Sequence, residues 1–144
     1  MAGRIALVLA ALWWGSLSGL GLVVPMLFAH LPTPQMAGVM AARLFTAQTS
    51  LGVVCGLVLL MIVGRKQALS PESSAQAAIK FIVAGLLLAL LVEFAAAPRI
   101  VAARVEGGSL RLWHGIGSAM LAGQWLCALG VLWQLGRPTP VRPG

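Results

Sequence analysis

Three ionisable side chains, Arg43, Glu93 and His114, fall inside stretches too apolar to face water. A charge at mid-membrane costs about 2.5–3.5 kcal/mol on insertion scales, so each needs a partner, water or a route back to the interface. Counted inward from the ends of their apolar stretches, Arg43 lies ~10 Å, Glu93 ~9 Å and His114 ~5 Å below one membrane face. That matching depth predicts an Arg43–Glu93 ion pair, with His114 as the third member of an intramembrane polar cluster. The alternative arrangement has Arg43 snorkelling to the headgroups and Glu93 neutral or solvated.

A second set is uncharged. Gln48 and Cys55 are seven residues apart and share a helix face with Gly52, and Gln124 and Cys127 are three apart at similar depth. Where those faces meet, a polar seam of Gln48 and Gln124 joins the second and fourth apolar stretches. The two thiols suit a soft ion such as Cu(I), which makes Cys55 and Cys127 the candidate metal ligands. As inert small hydrophobes they would only pack, with the glutamines bonding across helices. Met26, Met36, Met40, Met61 and Met120 follow no regular spacing and read as packing residues.

Signatures of catalysis are absent from the sequence: there is no GxSxG, HExxH, P-loop or Rossmann glycine set. His114 and Ser118 share a helix face, but the only intramembrane acid able to orient the histidine is Glu93. The sequence therefore assigns no catalytic residue and no cofactor.

The elements that must position these residues are set by composition. Of 144 residues, 60% are hydrophobic and only 9% charged, too few polar groups to cover a water-soluble fold. The first apolar run, 5–29, gives ~37 Å of helix, enough to cross a hydrocarbon core of ~30 Å with some tilt. A cleaved signal peptide is the competing reading, but hydrophobicity continues through Phe28, past the reach of an h-region. Thr33 and Pro34 cap and start a second helix, 35–63, which ends at Gly64-Arg65-Lys66. Ser70-Pro71-Glu72 supplies a capping serine and a first-turn proline for a third helix, 79–99, extending towards Arg104. Gly107-Gly108-Ser109 breaks and recaps the chain before a fourth, 110–135. The proline-rich tail, 137–144, reads as disordered.

The architecture expected is an all-α, integral membrane four-helix bundle made of two antiparallel helical hairpins. Close packing should come from small residues: Gly15 and Gly19 on the first helix, Gly52 and Gly56 on the second, and Gly115, Ala119 and Gly123 on the fourth. Four crossings put Arg4, Arg65, Lys66, Lys80, Arg137 and Arg142 on one side and Arg99, Arg104 and Arg111 on the other. The larger basic set places both termini in the cytoplasm, in a bacterial inner membrane. The net charge of +7 is thus a topology signal. Without interleaved aromatic and basic residues on one surface, nucleic acid is excluded as a partner.

The order of several short stretches resembles a known family: Trp14-Gly15 to Phe28, the Leu31-Pro32 turn with Ala37-Gly38 and Leu44-Phe45, Pro98-Arg99 to Arg104, and Trp113-His114-Gly115-Ile116-Gly117-Ser118. The sequence is similar to the four-span membrane proteins of domain-of-unknown-function family 4149, related to eukaryotic transmembrane protein 205. The resemblance implies a membrane bundle and no established reaction, cofactor or catalytic residue.

The functional reading from sequence is a non-enzymatic bundle in contact with the lipid bilayer. It would act as a membrane-complex or helper component, with a membrane-protein partner or as a homo-oligomer. A small oligomeric transporter or metal-handling protein using the thiol seam, and a lipid-active enzyme, are the alternatives.

Overall fold

Long apolar runs leave a backbone in lipid one way to satisfy its own N–H and C=O groups within a segment, and every element among the described residues is helical. The computed structural model describes residues 1–137, so the tail 138–144, with Arg142, lies outside the described residues. The elements are α1 (Ala2–His30), α2 (Pro34–Leu69), α3 (Ser73–Leu91), a π-helical segment (Val92–Ala96), α4 (Ala97–Glu106) and α5 (Leu110–Gly136). α3, the π segment and α4 run on as one span, giving four helices among the described residues that are long and apolar enough to cross a membrane. They mark the chain as an integral membrane protein.

Local chemistry sets the boundaries. Thr33 Oγ1 accepts from the Met36 N–H at 3.2 Å and Pro34 occupies the first turn of α2, as its missing N–H permits. α2 then continues past Val63 to Leu69, with Ser70 as its C-cap donating its N–H to the Lys66 carbonyl. The residue capping α3 is therefore Glu72 and not Ser70, which α2 has already taken. The Glu72 carboxylate bonds Lys66 Nζ at 3.0 Å, while its N–H donates to Gln67 Oε1 at 2.9 Å. At the other end of the third span, Gly107 takes φ 74°, a left-handed conformation that ends α4 without the strain of a Cβ.

The π segment has an identifiable origin. Pro98 lacks an N–H and its ring would collide with the carbonyl four residues back, so the preceding turn widens. Ala97 accordingly donates its N–H to the Val92 carbonyl, five residues back.

The spans pack as two antiparallel hairpins, with α1 beside α2 and α5, and α3 beside the same two. α1–α3 and α2–α5 are the diagonals. A single residue bridges the centre. Trp13 is fully buried, and its indole reaches from α1 across to both α2 and α3. A Cβ built on Gly52 would lie 3.0 Å from Trp13 Nε1, and one on Gly85 2.8 Å from Trp13 Cη2.

The core is one-sided along the bundle axis. Ala6, Ala10, Cys55, Leu59, Ala78, Ile82, Ala128 and Val131 cluster around Trp13 in the half that carries the termini and the α2–α3 turn. In the opposite half, α4 has no buried residue at all. The small-residue expectation holds for α2, where Gly52 meets Trp13 and Gly56 meets Leu86, and in part for α5, where Gly123 meets Leu88. Gly15, Gly19 and Gly115 have no neighbour near a built Cβ, so the α1 motif and the start of the α5 ridge face outward. On α5 the contacting glycines are Gly117, Gly123 and Gly130.

Candidate functional site

The half of the bundle left open by α4 contains a cavity of about 430 Å³ between α2, the π segment, α4 and α5. Small residues create it: Gly38, Ala41 and Ala42 on α2, Ala96 and Ala97 at the π segment, and Gly117 on α5 all line the space. On α2 the lining positions 38, 41, 42, 45 and 46 form a single stripe at helical spacing. The last of them, Thr46, donates its hydroxyl to Glu93 Oε1 at 3.1 Å. Glu93 is held there by the π turn, a backbone feature that commonly marks functional positions.

The other polar groups in the cavity are Arg104, His114 and Ser118. Arg104 originates near the far end of α4. Helical side chains lean towards the N-terminus of their own helix, which carries its guanidinium back over α2. There, Nη1 lies 2.6 Å from where a Gly38 Cβ would stand, so a side chain at position 38 would require the guanidinium to shift. Among the described residues the one ion pair is Lys66–Glu72 at the opposite end, and neither Glu93 nor Arg104 has a charged partner among them.

The sequence-predicted cluster is thus partly assembled. Glu93 and His114 share the cavity, but Arg43 is exposed and outside it. The physical reason is azimuth. Arg43 follows Ala42 by ~100° of helical turn, which takes it off the lining stripe to the outer face of α2, however well its depth matches. Thr46 takes the hydrogen-bonding role foreseen for Arg43, and Arg104 supplies the positive charge. Sequence reading counted Arg104 as a flanking residue. Its signal was Gly38, whose missing side chain gives the guanidinium its place.

The glutamines do not form one seam. Gln48 donates to Ser16 Oγ on α1 at 3.0 Å, and Ser16 in turn donates to the Trp13 carbonyl at 2.9 Å. Gln124, 2% exposed, reaches from α5 towards Gly52, and a Cβ on that glycine would lie 3.4 Å from its Nε2. Neither Trp13 Nε1 nor Gln124 Nε2 has a hydrogen-bond partner among the described residues. A bond missing from the sequence reading ties α1 to α5 instead: Trp125 Nε1 donates to Ser18 Oγ at 2.8 Å, with the Trp14 and Trp125 rings 5.6 Å apart. Cys55 is buried and Cys127 half-buried, both as free thiols. The Cys127 Cβ packs 3.3 Å from a Cβ built on Gly85. Among the described residues no three His, Cys, Asp or Glu side chains come together as a metal-ligating group.

A family model described as a domain of unknown function, DUF4149, matches residues 8–109. The chain belongs to the DUF4149 family. The matched region includes Trp13, the α2 stripe, Glu93 and Arg104, whereas α5, with His114 and Gln124, follows it. No curated protein and no solved structure matches the chain. The DUF4149 family description names no reaction, so the chemistry of the cavity must be argued from its own residues.

Proposed function

We propose that the protein is a non-enzymatic component of the bacterial inner membrane, with both termini cytoplasmic, that recognises another membrane-embedded component through the cavity at its outer end. The observation that carries this reading is the cavity itself. A largely apolar space holds a carboxylate and a guanidinium with no charged partner among the described residues, beside a helix that buries none of its residues. Concave, mostly apolar sites with a few convergent polar groups are the usual form of a binding site. Arg4, Arg65, Lys66 and Lys80 at the opposite end support the orientation.

Recognition is favoured over passage by Trp13. Its indole fills the section between Gly52 and Gly85, below the cavity, where a transport path would have to run.

Extraction into native nanodiscs tests the proposal. A component should co-isolate with the wild-type protein and with Arg43→Gln, and be lost from the cavity variants Arg104→Gln and Ala42→Phe. Isolation of every variant as the same lone monomer would overturn it.

A further inference from the structure

We infer that the cavity takes a single-chain glycerophosphate amphiphile, with its phosphate at Arg104, its free glycerol hydroxyl at Glu93 and its chain in the apolar trough beyond. The inference rests on the reading of the cavity as a recognition site and names the ligand's chemical class.

Charge comes first. Arg104 offers a guanidinium that makes no hydrogen bond to the described residues and faces a cavity also lined by His114. Arg99, stacked 4.6 Å over the Trp113 ring, and Arg111 stand on the same end of the bundle. A guanidinium fork in a largely apolar site selects a phosphate or carboxylate, to which it donates two parallel hydrogen bonds.

Spacing comes second. The guanidinium lies over Gly38 and the Glu93 carboxylate is bonded to Thr46, eight residues further along α2. The two charges are therefore ~12 Å apart along the helix axis. With a hydrogen bond of ~3 Å at each end, ~6 Å separates the ligand's anionic oxygen from its donor group, about the reach of one glycerol unit. Glu93 Oε1 already accepts from Thr46, so a donor such as a hydroxyl is the ligand group that suits this carboxyl.

Shape comes third. Beyond Phe45, Ser118 and Leu121 the cavity meets a second hollow of about 340 Å³, lined by Leu17, Leu20, Gly21, Pro25 and Trp125 among others. Pro25 cannot donate to the Gly21 carbonyl, and this break in α1 borders the hollow. The hollow is mostly apolar and shares Val24, Phe45, Ser118 and Leu121 with the head site. At about 430 Å³ the head cavity is near the small end of ligand sites, which suits one chain.

The test is titration of the full-length protein in maltoside micelles, read by native mass spectrometry and calorimetry. The probes are 1-oleoyl lysophosphatidic acid, 1-oleoylglycerol, dioleoyl phosphatidic acid and inorganic phosphate. The lysophosphatidic acid should bind at least tenfold more tightly than the other three, which lack the phosphate, the free hydroxyl or the chain. Arg104→Gln should weaken it about tenfold or more, Ala42→Phe should abolish it, and Arg43→Gln should leave it unchanged; both arginines and Ala42 are exposed. Equal binding of inorganic phosphate would make the site one for free anions. Equal binding of dioleoyl phosphatidic acid, or full binding by Arg104→Gln, would also overturn the inference. If no amphiphile binds while a partner still co-isolates through the cavity, the ligand class fails and the recognition reading stands. If neither occurs, both fail.

Discussion

Truncating Trp13 separates two roles of one side chain, its bulk and its N–H. Trp13→Ala removes the indole that spans the bundle between Gly52 and Gly85. In a water-soluble core such a change loses both a transfer term and a cavity term, but lipid tails are as apolar as the site, so the cavity term dominates here. At about 24 cal/mol per Å³, the roughly 140 Å³ removed corresponds to ~3 kcal/mol before neighbours relax. Trp13→Phe removes only ~40 Å³, or ~1 kcal/mol on the same scale. It also deletes a buried N–H that has no acceptor, and relief of such a donor is worth ~1–3 kcal/mol. The two effects oppose each other, so Trp13→Phe should be neutral or stabilising while Trp13→Ala costs ~2–3 kcal/mol. Reversible unfolding in mixed dodecyl sulfate and maltoside micelles, followed by circular dichroism, gives both numbers. If Phe proves as costly as Ala, the indole N–H is partnered and the account of the bundle centre is wrong.

Four further outcomes follow from the same geometry. Gly85→Ala places a Cβ 2.8 Å from a fully buried indole that cannot swing away, and should cost ~1–3 kcal/mol in that unfolding assay. Gly15→Ala and Gly19→Ala meet nothing within 4 Å and should be neutral or stabilising by ~0.5–1 kcal/mol, because alanine restricts the unfolded chain more than glycine does; a large loss would mean that this face is packed against something. Glu93→Gln keeps an acceptor for Thr46 and removes a carboxylate without a cationic partner, so it should hold or raise the unfolding midpoint while weakening the glycerophosphate titration. Lys66→Ala breaks an ion pair in which the lysine side chain is 53% exposed, and the midpoint should move by less than ~1 kcal/mol equivalent, with any effect vanishing in high salt.

Much of this molecule is written in its composition, and what is not has a common cause. Apolar run lengths sufficed to locate four helices, because a membrane leaves the backbone so few options. Thr33-Pro34 and Gly107 marked helix ends through chemistry local to those residues. Depth was legible too, and it placed Glu93 and His114 in the same half of the bundle, where both line the cavity. What a one-dimensional count omits is rotation about the helix axis. Arg43 has the right height and the wrong azimuth, and Gly15–Gly19 has the right spacing on a face with no neighbour. Arg104 was hidden differently: its backbone belongs to the end of α4, but its guanidinium is displaced by a side-chain length towards Gly38. The π turn was not foreseen: Pro98 read only as a boundary of the third apolar stretch, and the consequence for Glu93 depends on how the extra width is taken up.

The cross-bundle indole also dictates an order of assembly. Trp13 is synthesised with the first helix, but Gly85, which receives the edge of its ring, arrives only with the third. Until then the ring has Gly52 on one side and lipid on the other. The initial pair of helices is therefore a provisional structure awaiting its keystone, and errors in inserting the third helix should leave the earlier two loosely joined and open to membrane proteases.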